Sequence, residues 1–468
     1  MKHWMLAGLV ATATLAGCGS DTITPPKNVI FFLGDGMGMT TMTAARIYAV
    51  GEDGDLTMDT LPETAFIKTF SNDAQVTDSA PSMSAYMTGV KMNNEVLSMS
   101  SDTTAVAPGK DATTGISNSV NNCASTNGSA VQTLLELAIA KNKGTGVVTT
   151  ARLTHATPAA TYSHICHRNA EYDIARQAVP GGAGFNAALG SGVDVLMGGI
   201  SQYWVPFNAS GSAVEKKGRP DGRNLITELK AKGYTYVSDK ASFDSAPTSS
   251  GSKIIGLFDQ AFSQGHMSYD LDRDATQEPS LSEMTSKAID LLSKNGNGYF
   301  LMVEGGRIDH ALHETNAKRA LVDTIAFDNA IKTALAKVDL SNTLVVVTAD
   351  HDHTMVFNGY PKKGNPILDI VRSYTDGQPT KDADGKTFTT LVFGQSPNRP
   401  TDRADVDSAT ALGNNYLQEG AVKAACVGCE THGGGDVRLH ATGAAASTFK
   451  GTIDNTKVFT LVKNAFGF

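Results

Sequence analysis

Three stretches of the chain string apolar residues together without interruption and then stop on an acid. Val29-Ile30-Phe31-Phe32-Leu33 runs into Gly34-Asp35-Gly36, Tyr299-Phe300-Leu301-Met302-Val303 into Glu304-Gly305-Gly306, and Leu344-Val345-Val346-Val347-Thr348-Ala349 into Asp350-His351. A strand with one wet face would alternate polar and apolar residues; continuous apolar runs fit central parallel strands covered on both faces. Gly146-Val147-Val148-Thr149-Thr150 adds a shorter fourth. Helical periodicity predicts helices over Val131 to Lys141, Leu281 to Lys294 and Lys318 to Lys337. Strands alternating with helices predict an α/β fold with a doubly wound, largely parallel central sheet flanked by helices. Sites in such sheets form outside the carboxyl ends of the strands, so Asp35, Glu304, Asp350 and His351 are expected along one edge. A single acid after a strand is as well explained as a helix N-cap. Three together, one with a His attached, favour metal.

Other stretches add donors. Gly305 to His313 places Asp309 and His313 four residues apart, so on a helix both project from one face and can hold one cation. That spacing also describes a plain surface ion pair, and the pair gains weight only from Glu304 and the glycines before it. Glu430-Thr431-His432-Gly433-Gly434-Gly435-Asp436 offers a further imidazole among glycines that permit close backbone approach. Val76 to Gly89 reads as a loop entering a helix, with Pro81 in the first turn and Ser79 at or just before the N-terminus. Free N–H groups there favour a phosphate, and a Ser Oγ there can be deprotonated by a coordinated metal. Taken alone, this segment reads more readily as Ser79 capping its helix.

Composition narrows the partners. The 468 residues carry 39 Lys plus Arg against 47 Asp plus Glu, a net charge of −8, with 41% hydrophobic and 18% charged residues. This is ordinary for a globular protein, and no Lys/Arg-rich tract supplies the basic face a nucleic-acid binder needs. Met1 to Cys18 shows Lys2 and His3, an apolar run from Trp4, and small residues up to Leu15-Ala16-Gly17-Cys18, too short to span a bilayer. The ending resembles a bacterial lipobox. Residues 1–17 are therefore expected to be a signal peptide, with Cys18 a lipidated N-terminus anchoring the exported, periplasmic or cell-surface chain to a membrane, the outer one if the cell has two. Residues 18–27 then form a tether; an ordinary secretory signal cut nearby is the alternative. Four cysteines remain, and in an exported protein they suggest disulfides. Pairing Cys123 with Cys166 and Cys426 with Cys429 is favoured, because the latter two would close a small loop. A zinc site at Cys426 and Cys429 would lack a second pair of soft ligands.

Six motifs in order make the sequence resemble the alkaline phosphatases, nearer the animal-type branch than the enteric bacterial one. They are LGDGMG from Leu33 to Gly38, TDSA from Thr77 to Ala80, HATPA from His155 to Ala159, VEGGRIDH from Val303 to His310 with His313 beyond, TADH from Thr348 to His351, and ETHGG from Glu430 to Gly434. The resemblance implies one catalytic domain over 28–468, with a surface subdomain inserted at about 360–428 near the active-site entrance and dimer interface. It implies a homodimeric hydrolase of phosphate monoesters with broad specificity and an alkaline optimum, acting through a phosphoserine at Ser79. One zinc would be held by Asp309, His313 and His432, a second by Asp35, Asp350 and His351 together with Ser79, and magnesium by Asp35, Thr157 and Glu304. Donor chemistry agrees, because His-bearing sites suit zinc and an all-oxygen site suits magnesium. Arg168 would grip two phosphoryl oxygens. His155 and His310, where the enteric branch has Asp and Lys, would sit near magnesium and phosphate. Phe258, Asp259 and Glu278 match part of a calcium site of animal-type members. His164 matches a family residue with no ligand role, and His353 and His440 read as supporting or surface histidines.

Rival readings fit less well. A sulfatase needs Arg where Met83 follows Ser79-Ala80-Pro81-Ser82. A phosphodiesterase typically lacks counterparts of Thr157, Glu304 and Arg168, which suit the extra charge of a monoester. A non-catalytic metal- or phosphate-binding lipoprotein would have no use for Ser79.

Overall fold

The four apolar runs all become strands of one ten-stranded sheet in the computed structural model, which describes residues 25–423 and 429–468. In chain order its first eight strands are β1 (Asn28–Gly34), β2 (Glu63–Lys68), β3 (Gly144–Arg152), β4 (Val195–Gly199), β5 (Tyr234–Val237), β6 (Lys253–Phe258), β7 (Tyr299–Gly305) and β8 (Thr343–Ala349). Val437–Gly443 and Gly451–Asp454 complete it. The spatial order is Gly451–Asp454, β2, Val437–Gly443, β8, β1, β7, β3, β4, β6, β5. From β8 to β5 every neighbouring pair is parallel, while Val437–Gly443 runs antiparallel to both β8 and β2.

The doubly wound, largely parallel α/β architecture is thus as expected. Every residue from Val29 to Leu33 is fully buried, as the uninterrupted apolar pattern requires of a strand covered on both faces. The predicted helices form at Leu134–Ala140, Leu281–Leu292 and Ala317–Leu335. The first starts later than periodicity predicts because Thr133 and Glu136 build a capping box there, and Ser280 with Glu283 builds another.

Two strands from within 360–428, Leu391–Ser396 and Gly420–Lys423, join Met355–Phe357 just before it in a separate three-stranded sheet. Cys123 and Cys166 are joined by a disulfide. The signal over 1–17, Cys18 and the expected Cys426–Cys429 pairing fall outside the described residues, because Cys426 is not among them. Among the described residues no helix is long and apolar enough to cross a membrane.

Candidate active site

Register alone brings the strand-end acids together. Leu33 pairs with Glu304 on one side and Thr348 on the other, so Asp35 and Asp350 leave β1 and β8 beside Glu304 of β7. Asp35, Glu304 and Asp350 are all fully buried. Burial raises all three carboxyls well above the ordinary range; next in weight, Asp309 acts on Asp35, and Asp35 on both Glu304 and Asp350, which reaches about 8. A dry cluster of like charges of this kind is relieved by cations.

Three histidines meet these acids in one repeated arrangement. His313, on the helix Arg307–His313, directs Nδ1 at the carbonyl of Glu430 (2.5 Å), His432 at that of Thr77 (2.8 Å) and His351 at that of Asp352 (3.2 Å). A carbonyl only accepts, so each Nδ1 carries a proton, and in the neutral ring each Nε2 presents a lone pair. Those three Nε2 atoms lie 3.3, 3.5 and 3.9 Å from one oxygen, Oδ1 of Asp309. Outer carbonyls that fix the tautomer of a ligating imidazole are the usual support of a metal site.

Ser79 heads the helix Ser79–Thr88, with Asp78 as its N-cap and Pro81 in the first turn. Its Oγ is buried, 3.2 Å from Nε2 of His351 and 3.5 Å from Oδ1 of Asp35. Beside it, Asp35 Oδ2, Thr157 Oγ1 and Glu304 Oε1 are buried without a well-formed hydrogen bond, although Thr149 Oγ1 donates to the other Glu304 oxygen. Buried polar atoms normally find partners, so three orphaned oxygens side by side fit a hard cation such as magnesium. His155, expected nearby, stands closer than that: its ring joins Asp35 and Glu304 as a third cluster of metal-competent atoms, next to Asp35, Asp350 and His351, and Asp309, His313, His353 and His432.

Arg168 is half-buried, ion-paired to Asp78 and 2.8 Å through Nη2 from His155 Nε2, and its backbone N–H donates to the Glu95 carbonyl at 2.7 Å. Asp78 in turn accepts from the Glu95 N–H at 2.8 Å. His310 packs in the same wall, its ring centroid 5.3 Å from that of His155.

Some readings need correction. His353 and His440 are buried, which leaves the supporting reading of the two alternatives and removes the surface one. His353 places Nε2 2.7 Å from Asp309 Oδ1 and Nδ1 2.6 Å from Glu430 Oε2, so both nitrogens donate and the ring is an imidazolium, not a ligand. Burial opposes that charge, but the bonds to Asp309 and Glu430 outweigh it and push the ring up to about 10. Of the partial calcium set, Asp259 accepts from the Ser201 N–H (2.8 Å) and Oγ (2.6 Å), and Glu278 from the Ser268 N–H (3.1 Å). Phe258 ends β6 fully buried. Sequence reasoning missed Asp78, Glu430 and His266. Glu430 stands two residues before His432 and His353 two after His351, positions that share a face in extended chain; His266 carries no motif.

The profile of the alkaline phosphatase family matches residues 26–468. An alkaline phosphatase from Gadus morhua is 37% identical over 452 residues, spanning 91% of this chain and 88% of that protein. The tissue-nonspecific isozyme of Felis catus is 36% identical over 450 residues, 91% of this chain and 80% of that protein. Among solved structures, alkaline phosphatase from the Antarctic bacterium TAB5 superposes with a TM-score of 0.65 at 23% identity, covering 95% of this chain and 99% of that one. The Thermus thermophilus alkaline phosphatase gives 0.66 at 24%, covering 95% and 92%; at such identities the likeness speaks for the fold. Sequence relationship, sheet topology and a buried Ser79 among acids and histidines agree, and this chain belongs to the alkaline phosphatase family of phosphomonoesterases.

Proposed function

We propose that the phosphomonoesterase acts through a phosphoserine at Ser79, in a centre holding two zinc ions and one magnesium ion. The observation that carries this reading is the convergence on Asp309 of three imidazole Nε2 atoms, each ring set by a carbonyl behind it, one of them 3.2 Å from the Ser79 hydroxyl. Asp309, His313 and His432 would hold one zinc, Asp35, Asp350 and His351 the other, and Asp35, Thr157 and Glu304 the magnesium. Bound there, the ions would favour the alkoxide form of Ser79 and neutralise charge developing on the phosphoryl and leaving-group oxygens.

The chain's own residues do the rest. Arg168, held between Asp78 and His155, presents its guanidinium to two non-bridging phosphoryl oxygens. Ser79 Oγ bonds to phosphorus as the bond to the leaving alcohol oxygen breaks. Water then attacks the phosphoserine, the Oγ–P bond breaks, and inorganic phosphate leaves with Ser79 restored. Recognition centred on the phosphoryl group leaves the alcohol largely unread, which supports broad specificity.

The test is hydrolysis of a chromogenic phosphomonoester beside phosphodiester and sulfate esters. Strong monoester turnover, abolished by chelator and by Ser79→Ala, is expected; preference for the diester or sulfate would overturn the substrate assignment. ³²P retained covalently by the native enzyme and not by Ser79→Ala would identify the intermediate. We further propose a homodimer, to be checked by sedimentation, and export with lipid anchorage through Cys18, which Cys18→Ser would release from the membrane fraction.

A further inference from the structure

We infer that His266 is a positioning residue for phosphate recognition, bracing the histidine wall against which Arg168 is set. The inference rests on the Arg168 clamp proposed above.

His266 lies beyond the end of β6, just after a short turn over Phe262–Gln264 that closes on Gly265 with φ +76. Only 6% of it is exposed, although it belongs to a connection between β6 and β7. Its backbone is pinned on both sides. The Met267 N–H donates to the Thr150 carbonyl at 3.1 Å, and the backbone of Gly199 passes so close that a Cβ there would come within 2.8 Å of Met267 N and 3.0 Å of the His266 carbonyl carbon. The imidazole fills the space between Arg152 and His310. Arg152 flanks it, with its backbone N 3.2 Å from Nδ1 and its Nη1 2.7 Å from Nε2, of which an uncharged ring can accept from one, while the ring centroid sits 3.8 Å from that of His310. It also stands edge-on to His155, with centroids 5.5 Å apart.

From there the contacts lead to the clamp. His310 and His155 are themselves 5.3 Å apart, and His155 Nε2 is one of two side-chain partners of the Arg168 guanidinium. The same connection supports His310 a second time: Gln264 Oε1 accepts from Arg307 Nη2 at 2.6 Å, and Arg307 Nη1 lies 3.2 Å from His310 Nδ1. Three imidazoles therefore fill the space bounded by Arg152, Arg307 and Arg168. Without the His266 ring, His310 and His155 lose one of the surfaces that fix their orientation, and the side of the Arg168 guanidinium facing His155 is held less firmly than the side facing Asp78.

The experiment compares His266→Ala, His266→Phe, His266→Gln and Arg168→Ala in the metal-loaded enzyme. It reads kcat and KM for a chromogenic monoester, Ki for inorganic phosphate, and the Tm shift produced by inorganic phosphate. His266→Ala is expected to raise KM and Ki about 3- to 10-fold, the equivalent of one lost aromatic contact, and to shrink the phosphate-induced Tm shift, with kcat changing less than about twofold. His266→Phe, which keeps the ring and loses both nitrogens, should restore affinity. The inference is overturned if His266→Ala leaves KM, Ki and the Tm shift near native while Arg168→Ala weakens all three. Rescue by Gln and not by Phe also overturns it, because the acceptor for Arg152 would then matter and the ring would not. Should Arg168→Ala itself leave phosphate affinity intact, the clamp fails and the inference with it.

Discussion

Asp309 Oδ1 lies 2.7 Å from Nε2 of His353, and the same oxygen is within 4 Å of Nε2 of His313, His432 and His351. One of these four imidazoles is a double donor and three present lone pairs, so Asp309 is oriented by the first and shares a site with the others. His353→Ala removes the orienting donor and leaves Glu430 without it. We expect apparent zinc affinity to fall about 10- to 100-fold, the usual effect of losing an outer-sphere partner. Competition with a chromogenic chelator measures it; an unchanged affinity would assign His353 to packing alone.

Thr157 has a buried hydroxyl with no well-formed hydrogen bond beside the unpartnered oxygens of Asp35 and Glu304. Thr157→Val keeps the shape and removes that oxygen. Without metal the variant should be as stable as the native chain or more so by about 1 kcal/mol, because an unsatisfied polar group is gone. The Tm gain on adding magnesium should shrink or vanish. A full magnesium-dependent gain in the variant would remove Thr157 from that site.

His440, on the Val437–Gly443 strand, is 1% exposed and neither ring nitrogen has a partner. Burial, aided by Arg438, lowers it from 6.5 to about 4. A depressed His must charge on unfolding, so the unfolded chain binds more protons between these values and stability falls as pH drops through the window. The slope from this residue is about 1.4 kcal/mol per pH unit at most. His440→Phe should flatten the stability profile between pH 6.5 and 4 in chemical denaturation, and an unchanged profile would place the acid sensitivity elsewhere.

His164 bridges the Ser98 carbonyl and Glu136 Oε1, both at 2.7 Å, and Glu136 closes the capping box of Leu134–Ala140. Burial lowers the His164 pKa, but the bonds to Glu136 outweigh it and the net shift is upward. The stabilisation is therefore complete below the ordinary value of 6.5 and is lost as pH rises through the raised one. His164→Ala should cost about 1–3 kcal/mol at pH 6 and clearly less at pH 9, read from urea midpoints.

The sequence discloses the sheet centre better than its margins. β1, β3, β7 and β8 are buried on both faces and announce themselves as apolar runs, whereas β2 has the burial pattern of an edge-side strand and its Phe66 stays 45% exposed. Asp35, Glu304, Asp350, His351, Asp309 and His313, which the structure brings together, were legible because they sit on strand ends and on one helix turn, where spacing carries geometry. His353, Glu430 and His266 were not, for a different reason. Their positions follow from pairing between distant segments, such as His432 opposite His353, and no local pattern encodes that register.

The antiparallel strand Val437–Gly443 lies between β8 and β2. β2, made early, therefore has no bridge to the rest of the sheet until almost the whole chain exists, and His432 arrives just ahead of that same strand. Closing the sheet and delivering the last imidazole are one late event, a long-range pairing that is slow by topology. A nascent or truncated chain that stops short of residue 432 would present acids and histidines from the ends of β1, β7 and β8 without the last imidazole. Phosphomonoester turnover is therefore expected only of chains made past His432 and the strand that follows it.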